Sequence, residues 1–483
     1  MASSWWPQGS GSSASGSREK VAGPSGGPFP KGCKWREVYP KGKEPGFWDV
    51  RTYEYWDAAS QRWDPKQPAA CLVKGARNPK AWQWRNGTPR SAASCKDFHC
   101  IYENLWFNNG RFYLLVDGPQ TVPSFKMSRN QELNVMHVDN ASAFVETVDT
   151  HVIPGDTLIF DFIFFLHPTA IGHWSEMLFP LFSVLRLEPS FARPPSQMML
   201  LHLKKTHLME WVRSVLAVTL GVGAEQDLPP MMLHQEVDSV WKQILAPLEG
   251  FSKQEWICFE RVMVVKDTFN GGTRTFLNKE DAHLFRQMYG LPPPGQRDHV
   301  PNTITFQRKR ANRQVINEDQ MVRMLQEFGE VRVVEFNSST SFREQVETMA
   351  STGVYISVHT SNLANAQFLA PGSAVVELIQ KNWIWHNLDQ SFKVQTEMMG
   401  DIHHYAWRAR HRNQTVYLTK RDAARFGDWP SLQCNTEECV EAHTNVDVVV
   451  NTEELRELLA DRLPLVYAGY SVEDALLDWP AQV

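Results

Sequence analysis

The sequence has no long apolar run and lacks three common phosphate-binding motifs. No run reaches the ~18 apolar residues of a membrane-spanning helix, and the longest, 157–166, is interrupted by Asp161. The G-x-x-x-x-G-K-[ST] loop is missing, as is G-x-G-x-x-G after a strand, which argues against a dinucleotide-dependent oxidoreductase. D-x-D, a carboxylate pair that holds a divalent ion against phosphates, is also missing. The net charge of -5 disfavours nucleic acid as a partner.

Composition and a proline-rich break predict the domain organisation. The 483 residues are enough for two or three domains at ~100 to 200 residues each. Residues 1–32 are mostly Ser, Gly and Pro, so we expect a disordered N-terminal tail. The L-P-P-P-G run at 291–295 marks a boundary between an N-terminal domain, 33–292, and a C-terminal domain, 298–483. Residues 33–108 are rich in tryptophan, which fills a small core or, if exposed on one face, stacks on carbohydrate.

Cysteine usage indicates an oxidising compartment. Two of the seven cysteines form a C-x4-C pair at Cys95 and Cys100, and two more at Cys434 and Cys439. This spacing favours short disulfides over zinc, although a metal site is the alternative. Sequons at 86–88, 140–142, 337–339 and 413–415 also fit a lumenal protein. No signal peptide or membrane anchor is visible, so we expect one to be missing from the N-terminus of this sequence.

Hydrophobic periodicity predicts an α/β fold in both halves. The first half has strand patterns at 105–116, 157–166, 198–203 and 261–266, with helices from Gly172 and around Leu208 to Leu220. The second half alternates strands at 303–306, 331–336, 354–358 and 374–378 with helices from Asn317, at 341–349 and at 362–368. Regular alternation with short connections predicts a parallel sheet covered by helices, a Rossmann-like domain.

Residues that suit an anionic ligand follow two strands of the second half. Ligands of open α/β sheets bind beyond the carboxyl ends of the strands, near helix N-termini. Residues 305–313 carry four cations, and the segment His359 to Asn362 joins an imidazole, two hydroxyls and the start of a helix. Alternatively, the cations are a solvated loop and His359 only caps a turn. Glu377 lies in an apolar strand, where either a ribose or uracil contact or a structural network would stabilise it.

A candidate base lies at the start of a helix in the first half. His173 and Glu176 are three residues apart in G-H-W-S-E, so a helix places both on one face. Either could accept a proton from a hydroxyl nucleophile. The alternative is that Glu176 only interacts favourably with the helix dipole.

The second half resembles glycosyltransferase family 61. The similar segments are I-T-F-Q-R-K-R-A-N-R-Q-V-I-N-E-D (304–319), F-R-E-Q-V (342–346), V-Y-I-S-V-H-T-S-N-L-A-N-A-Q-F-L-A-P-G-S-A-V-V-E-L (354–378) and H-Y-A-W-R (404–408). Weaker similarity lies at 100–113 and 172–181. The family's usual H-G-A-G-L is His359 to Leu363 here, H-T-S-N-L, so two glycines are replaced by bulkier residues.

The resemblance implies a GT-B architecture, with two Rossmann-like domains facing across a cleft. It also implies inverting transfer of xylose, another pentose or GlcNAc from a UDP-sugar to a glycan or glycoprotein, without a metal or other cofactor, in the Golgi or endoplasmic reticulum lumen. By motif, the resemblance implies that Arg308 and Arg313 meet the diphosphate and that His359 and Glu377 occupy family positions. Together with the residues predicted above, the expected catalytic residues are His173 or Glu176, and the expected nucleotide-sugar ligands are Arg308, Arg313, His359, Ser361, Asn362 and Glu377. The replaced glycines motivate the alternative of a catalytically silent carbohydrate- or nucleotide-binding protein.

Overall fold

The computed structural model describes the chain at 84, 87–117, 133–161, 169–201, 208–222, 228–229, 231–234, 254–265, 274–295, 300–310, 312–337 and 340–477, together with four short strands nearer the N-terminus. Those four strands form one antiparallel sheet: β1 (Glu19–Lys20), β2 (Trp35–Val38), β3 (Thr52–Asp57) and β4 (Arg62–Asp64). The rest of the predicted tail and most of the tryptophan-rich segment lie outside the described residues. Within them, Trp106 is fully buried and packs against Trp84, as the core interpretation expects.

The first half contains an eight-stranded mixed sheet in the order β11-β10-β9-β12-β6-β7-β8, with β5 paired to β6. Its strands are β5 (Ala92–Cys95), β6 (His99–Asn108), β7 (Arg111–Asp117), β8 (Leu133–Val138), β9 (Thr150–Asp161), β10 (Gln197–Leu201), β11 (Met231–His234) and β12 (Trp256–Val265). Strands β9, β10 and β11 are parallel neighbours. The helices between them, α2 (Ile171–Leu187) and α3 (Glu210–Thr219), complete a β-α-β-α-β unit.

The second half contains a five-stranded, wholly parallel sheet in the order β14-β13-β15-β16-β17. Its strands are β13 (Thr303–Gln307), β14 (Glu330–Val334), β15 (Val354–Val358), β16 (Ala374–Ile379) and β17 (His403–Arg408). The predicted alternation is therefore confirmed, and β17 is an edge strand that the periodicity did not reveal. A short antiparallel pair, β18 (Thr415–Val416) and β19 (Asp447–Val448), follows.

Helices cover both sheets. The other α-helices are α1 (Ala141–Thr147), α4 (Lys279–Gln287), α5 (Glu318–Leu325), α6 (Phe342–Ala350), α7 (Ser391–Met399), α8 (Lys420–Phe426), α9 (Glu437–Thr444), α10 (Thr452–Tyr467) and α11 (Val472–Leu477). The 3₁₀ helices are Ser361–Phe368, Trp385–Gln390, Arg412–Gln414 and Ser431–Gln433. Asn317 precedes α5 as predicted, but its side chain bonds the backbone of Val450 instead of capping the helix.

One apolar cluster is shared by the two halves and determines how they meet. It joins α2, α3 and α4 to the helices and strands of the second sheet. The Tyr289 and Phe342 rings lie 5.8 Å apart, and those of Phe285 and Phe368 lie 6.3 Å apart. This burial holds the start of α2 against the second sheet. Among the described residues, the helices are too short or too polar to cross a membrane.

Candidate active site

A cavity of about 170 Å³ lies where the two halves meet. Its lining comes from both halves: Gly172, His173, Glu176 and Arg274 from the first, and Arg313, His359, Thr360, Ser361, Trp383, Leu388, Ser391, Phe392, Glu437, Val440, Glu441 and Thr444 from the second. It is smaller than the ~300 to 1,000 Å³ of most ligand clefts, so it has room for only part of a larger ligand. Five of the eight residues predicted from the sequence lie here.

Two helix starts touch at the floor of the cavity. A β-carbon built on Gly172 would lie 2.9 Å from Cα of Ser361, closer than real side chains approach. Gly172 is near the start of α2, and Ser361 begins a 3₁₀ helix whose preceding residue, Thr360, accepts a hydrogen bond from the Asn362 N–H. Glycine at 172 therefore lets the positive ends of two helix dipoles share one cavity.

His173 and Glu176 form a pair on the first turn of α2. The Nδ1 of His173 lies 3.0 Å from Oε2 of Glu176. Because an ionised carboxylate only accepts hydrogen bonds, Nδ1–H is the donor and Nε2 is left as the base nitrogen. Arg274 lies 3.8 Å from the other Glu176 oxygen and donates to Oγ of Ser391 at 3.0 Å. The His173 side chain is 30% exposed, so an acceptor can reach it.

Arg313 brings a partly buried cation to the cavity. Its Nε donates to the Thr444 carbonyl at 2.6 Å and its Nη1 donates to the His359 carbonyl. The guanidinium lies 5.4 Å from the centre of the Trp383 ring, and burial lowers the pKa of Arg313 to about 10. None of the described carboxylates forms an ion pair with it. The backbone at Arg313 has φ of 53°, an uncommon conformation for a non-glycine residue.

His359 lies beside Arg313 with a carboxylate behind it. Its Nδ1 is hydrogen-bonded to Oε1 of Glu377, and its ring packs against Trp383 and Phe392 at centroid distances of 5.8 and 5.2 Å. The second oxygen of Glu377 accepts from Nε2 of His404 at 2.9 Å. Burial raises the pKa of Glu377, but the two histidines more than offset that effect and hold it at about 2.

Three predicted ligands do not line the cavity. Arg308 is paired with Glu318 at the start of α5, so its charge is already compensated. Asn362 turns its backbone carbonyl to the Tyr355 hydroxyl, at 3.0 Å, and its side chain is not part of the lining. Glu377 is fully buried behind His359, which favours the structural-network interpretation over direct ligand contact. These three side chains are therefore outside the cavity lining, and their contact with a ligand stays a prediction.

The short cysteine pairs form disulfides, as predicted. Cys95 is bonded to Cys100, and Cys434 to Cys439. Cys434 and Cys439 make up, with His443, the one group in the described part of the chain that has the geometry of a metal site. His443 already bonds the Cys439 carbonyl at 2.7 Å through Nδ1 and the Tyr417 hydroxyl at 2.8 Å through Nε2. This disulfide lies at the start of α9, the helix that supplies Glu437, Glu441 and Thr444 to the cavity.

Comparison with known families gives one match. Residues 171–376, less than half of the chain, match the family model described as Glycosyltransferase 61. This part of the chain is similar to glycosyltransferase family 61. The match begins at the first residue of α2 and ends inside β16, so it contains His173, Glu176, Arg274, Arg313 and His359. No curated protein matches the chain.

Several residues lining the cavity were not predicted from the sequence. Arg274 stands alone in a loop without a motif, and only the fold brings it to Glu176. Trp383, Phe392 and all of α9 lie beyond the family match. The C-x4-C spacing at Cys434 marked the start of α9, but nothing in the spacing placed that helix beside the cavity.

Proposed function

We propose that the chain is an inverting glycosyltransferase that transfers a sugar from a UDP-sugar to a hydroxyl of a glycan or glycoprotein, with its two halves as the lobes of a GT-B enzyme. The family and the location of the cavity support this proposal. Residues of both halves line the cavity, which is where the cleft of such an enzyme would bind donor and acceptor. The donor sugar is xylose, another pentose or GlcNAc.

Arg313 is the observation that carries the proposal. Arg313 is a partly buried cation without a carboxylate partner in the described part of the chain, and such a charge is more stable when it meets an anion. The diphosphate of UDP is such an anion, and a guanidinium matches phosphate oxygens geometrically. The Arg313 charge, the neighbouring His359 and the start of the 3₁₀ helix at Ser361 would together stabilise the departing UDP. Cationic side chains would then neutralise the negative charge of the diphosphate, as a divalent ion does in D-x-D enzymes.

His173 is the proposed base, and Glu176 orients it. Nε2 of His173 takes the proton of the acceptor hydroxyl as that oxygen attacks the anomeric carbon from the face opposite UDP. The bond from the anomeric carbon to the phosphate oxygen breaks, and UDP leaves with its electron pair. Glu176 accepts from Nδ1–H and stabilises the imidazolium that forms.

The two disulfides support a site of action in the Golgi or endoplasmic reticulum lumen, where disulfides persist. The partners of the enzyme are then the UDP-sugar and the glycan or glycoprotein acceptor.

The test is UDP release across a panel of UDP-sugars, together with UDP binding by calorimetry. We expect turnover with one donor, and loss of both UDP binding and turnover in Arg313→Gln. Arg310→Gln is the matched control, because Arg310 lies in the same loop but points outward, with its side chain 61% exposed. Equal UDP affinity in the two variants would contradict the assignment of Arg313 to the diphosphate.

A second candidate function is binding of a nucleotide or carbohydrate without turnover. Glu437 and Glu441 line the same cavity, and burial together with Glu437 and Glu438 raises the pKa of Glu441. Carboxylates repel a diphosphate but accept hydrogen bonds from sugar hydroxyls. The H-T-S-N-L segment also places bulkier side chains where glycines would allow close approach. UDP binding without release from any donor would favour this second function.

A further inference from the structure

We propose that Glu377 and His404 form a hydrogen-bonded relay behind His359, which fixes the ring and provides the counter-charge that keeps it a cationic N–H donor to the diphosphate. The inference rests on the proposed function and deepens it by assigning Glu377 and His404 as positioning residues. His404 is the new member of the site, since it lies beyond the family match.

Strand register brings the three residues together. Ser357 of β15 pairs with Glu377 of β16, and the pairing continues to the His359 N–H, which donates to the Leu378 carbonyl at 2.8 Å. Glu377 pairs with Ala406 of β17. Because side chains alternate along a strand, His359, Glu377 and His404 share one face of the sheet. Three adjacent parallel strands therefore each contribute one member.

The hydrogen bonds assign the role of each nitrogen. Oε1 of Glu377 accepts from Nδ1 of His359, and Oε2 accepts from Nε2 of His404 at 2.9 Å. Both carboxylate oxygens are thus occupied, which holds the carboxylate plane in place. Nε2 of His359 is the nitrogen left over, and within the described residues it has no hydrogen-bond partner, although the residue lines the cavity.

Charge balance indicates that the relay carries a proton on an imidazole. Glu377 is fully buried, and no lysine or arginine in the described part of the chain is paired with it. A buried carboxylate needs a cationic partner, so at least one of the two histidines is an imidazolium. Both His side chains are only 6% exposed. When a diphosphate occupies the cavity, the proton that makes an imidazole cationic is most stable on His359. The negative charge of the diphosphate then adds to the attraction that Glu377 exerts on this imidazolium.

The other imidazole of the cavity has a different environment. Glu176, which holds His173, is also close to Arg274, at 3.8 Å. Glu176 therefore shares its charge between His173 and Arg274, whereas Glu377 is bonded to two histidines. The remaining titratable groups lining the cavity are Arg313 on the same side as His359, and Glu437 and Glu441 on α9.

The experiment combines NMR of ¹⁵N-histidine-labelled protein with UDP titration. In the wild type we expect a far-downfield Nδ1–H proton signal from His359, of the kind that a carboxylate-bound imidazole gives, identified by its loss in His359→Ala. It should vanish in Glu377→Gln and move in His404→Gln. Each of these two variants should also bind UDP about tenfold more weakly, the effect of one weakened charge-assisted hydrogen bond.

His403→Gln is the matched control. It changes the same residue type on the same strand, but the His403 ring faces the other way, where its Nε2 lies 3.1 Å from the Tyr470 carbonyl. We expect neither the signal nor the UDP affinity to change. If the wild type binds UDP and both relay variants bind it equally well, the relay is overturned. If the variants do not fold, absence of the downfield signal in the UDP-bound wild type overturns it. A wild type that binds no UDP overturns the proposed function itself.

Discussion

Gly172 of the first half is in contact with Ser361 of the second half. A β-carbon added to Gly172 would lie only 2.9 Å from Cα of Ser361. Alanine at 172 would have to push apart two backbone segments, at a cost of about 1 to 3 kcal/mol. We expect Gly172→Ala to lower the free energy of unfolding and to weaken UDP binding. Urea denaturation and calorimetry measure both. Without the contact, alanine would stabilise the helix by up to about 1 kcal/mol, so a more stable variant would contradict the geometry.

Arg308 and Arg313 should respond differently to the same substitution. Arg313→Gln should abolish the rise in melting temperature that UDP produces in the wild type, because the partly buried cation of the cavity is gone. Arg308→Gln should keep that rise, since Arg308 is paired with Glu318 outside the cavity. The partly exposed ion pair is worth at most about 1 kcal/mol of stability. A lost UDP response in Arg308→Gln would show that this arginine reaches the diphosphate after all.

The Cys434–Cys439 disulfide should matter for substrate affinity as well as for stability. Replacing both cysteines by serine removes the constraint at the start of α9, which supplies one wall of the cavity. Each short disulfide contributes ~2 kcal/mol to the free energy of unfolding in the chain-entropy model. The double replacement of Cys95 and Cys100 is the control, because that disulfide lies away from the cavity. We expect similar stability losses but a higher KM only in the Cys434/Cys439 variant, so equal KM values would contradict the link.

His443 should make the fold sensitive to acid. Burial lowers its pKa to about 4, and the ordinary value of 6.5 returns on unfolding. Between these two pH values the unfolded chain binds a proton that the folded chain does not, so stability falls as the pH decreases through this window. The loss contributed by His443 reaches up to about 3 kcal/mol at the acid end. Urea midpoints at neutral and acid pH measure it, and His443→Gln should have a smaller difference between them. An unchanged difference would assign the acid sensitivity to other groups.

Much of the fold follows from the sequence because the second half repeats one local pattern. Strands such as 354–358 and 374–378 are buried on both faces, so most of their residues are apolar, and helices cover them. Strand β17 was missed because its pattern is H-H-Y-A-W-R, with partly exposed polar residues typical of an edge strand. The hydrophobic pattern of a sequence therefore predicts fully buried strands more readily than edge strands.

The site was only partly predictable, because the sequence does not show which charged and polar side chains come into contact in the folded chain. Four cations follow β13, but the sequence does not show which of them forms an ion pair with a carboxylate of the same chain. In the structure Arg308 pairs with Glu318, whereas Arg313 has no ion pair with a described carboxylate. Glu377 was recognised as an unusual buried carboxylate, yet its two histidine partners are 18 and 27 residues away along the chain. Arg274 meets Glu176, which is 98 residues earlier in the chain, only through the packing of the first half, and no local pattern encodes that contact.

The register of strand β17 determines which histidine faces Glu377. His403 and His404 are neighbours on it and their rings face opposite sides of the sheet. Sliding this outermost strand by one residue would exchange the two imidazoles and present the wrong one to Glu377. The order of two adjacent histidines along this strand therefore decides which imidazole meets Glu377, although neither histidine lines the cavity.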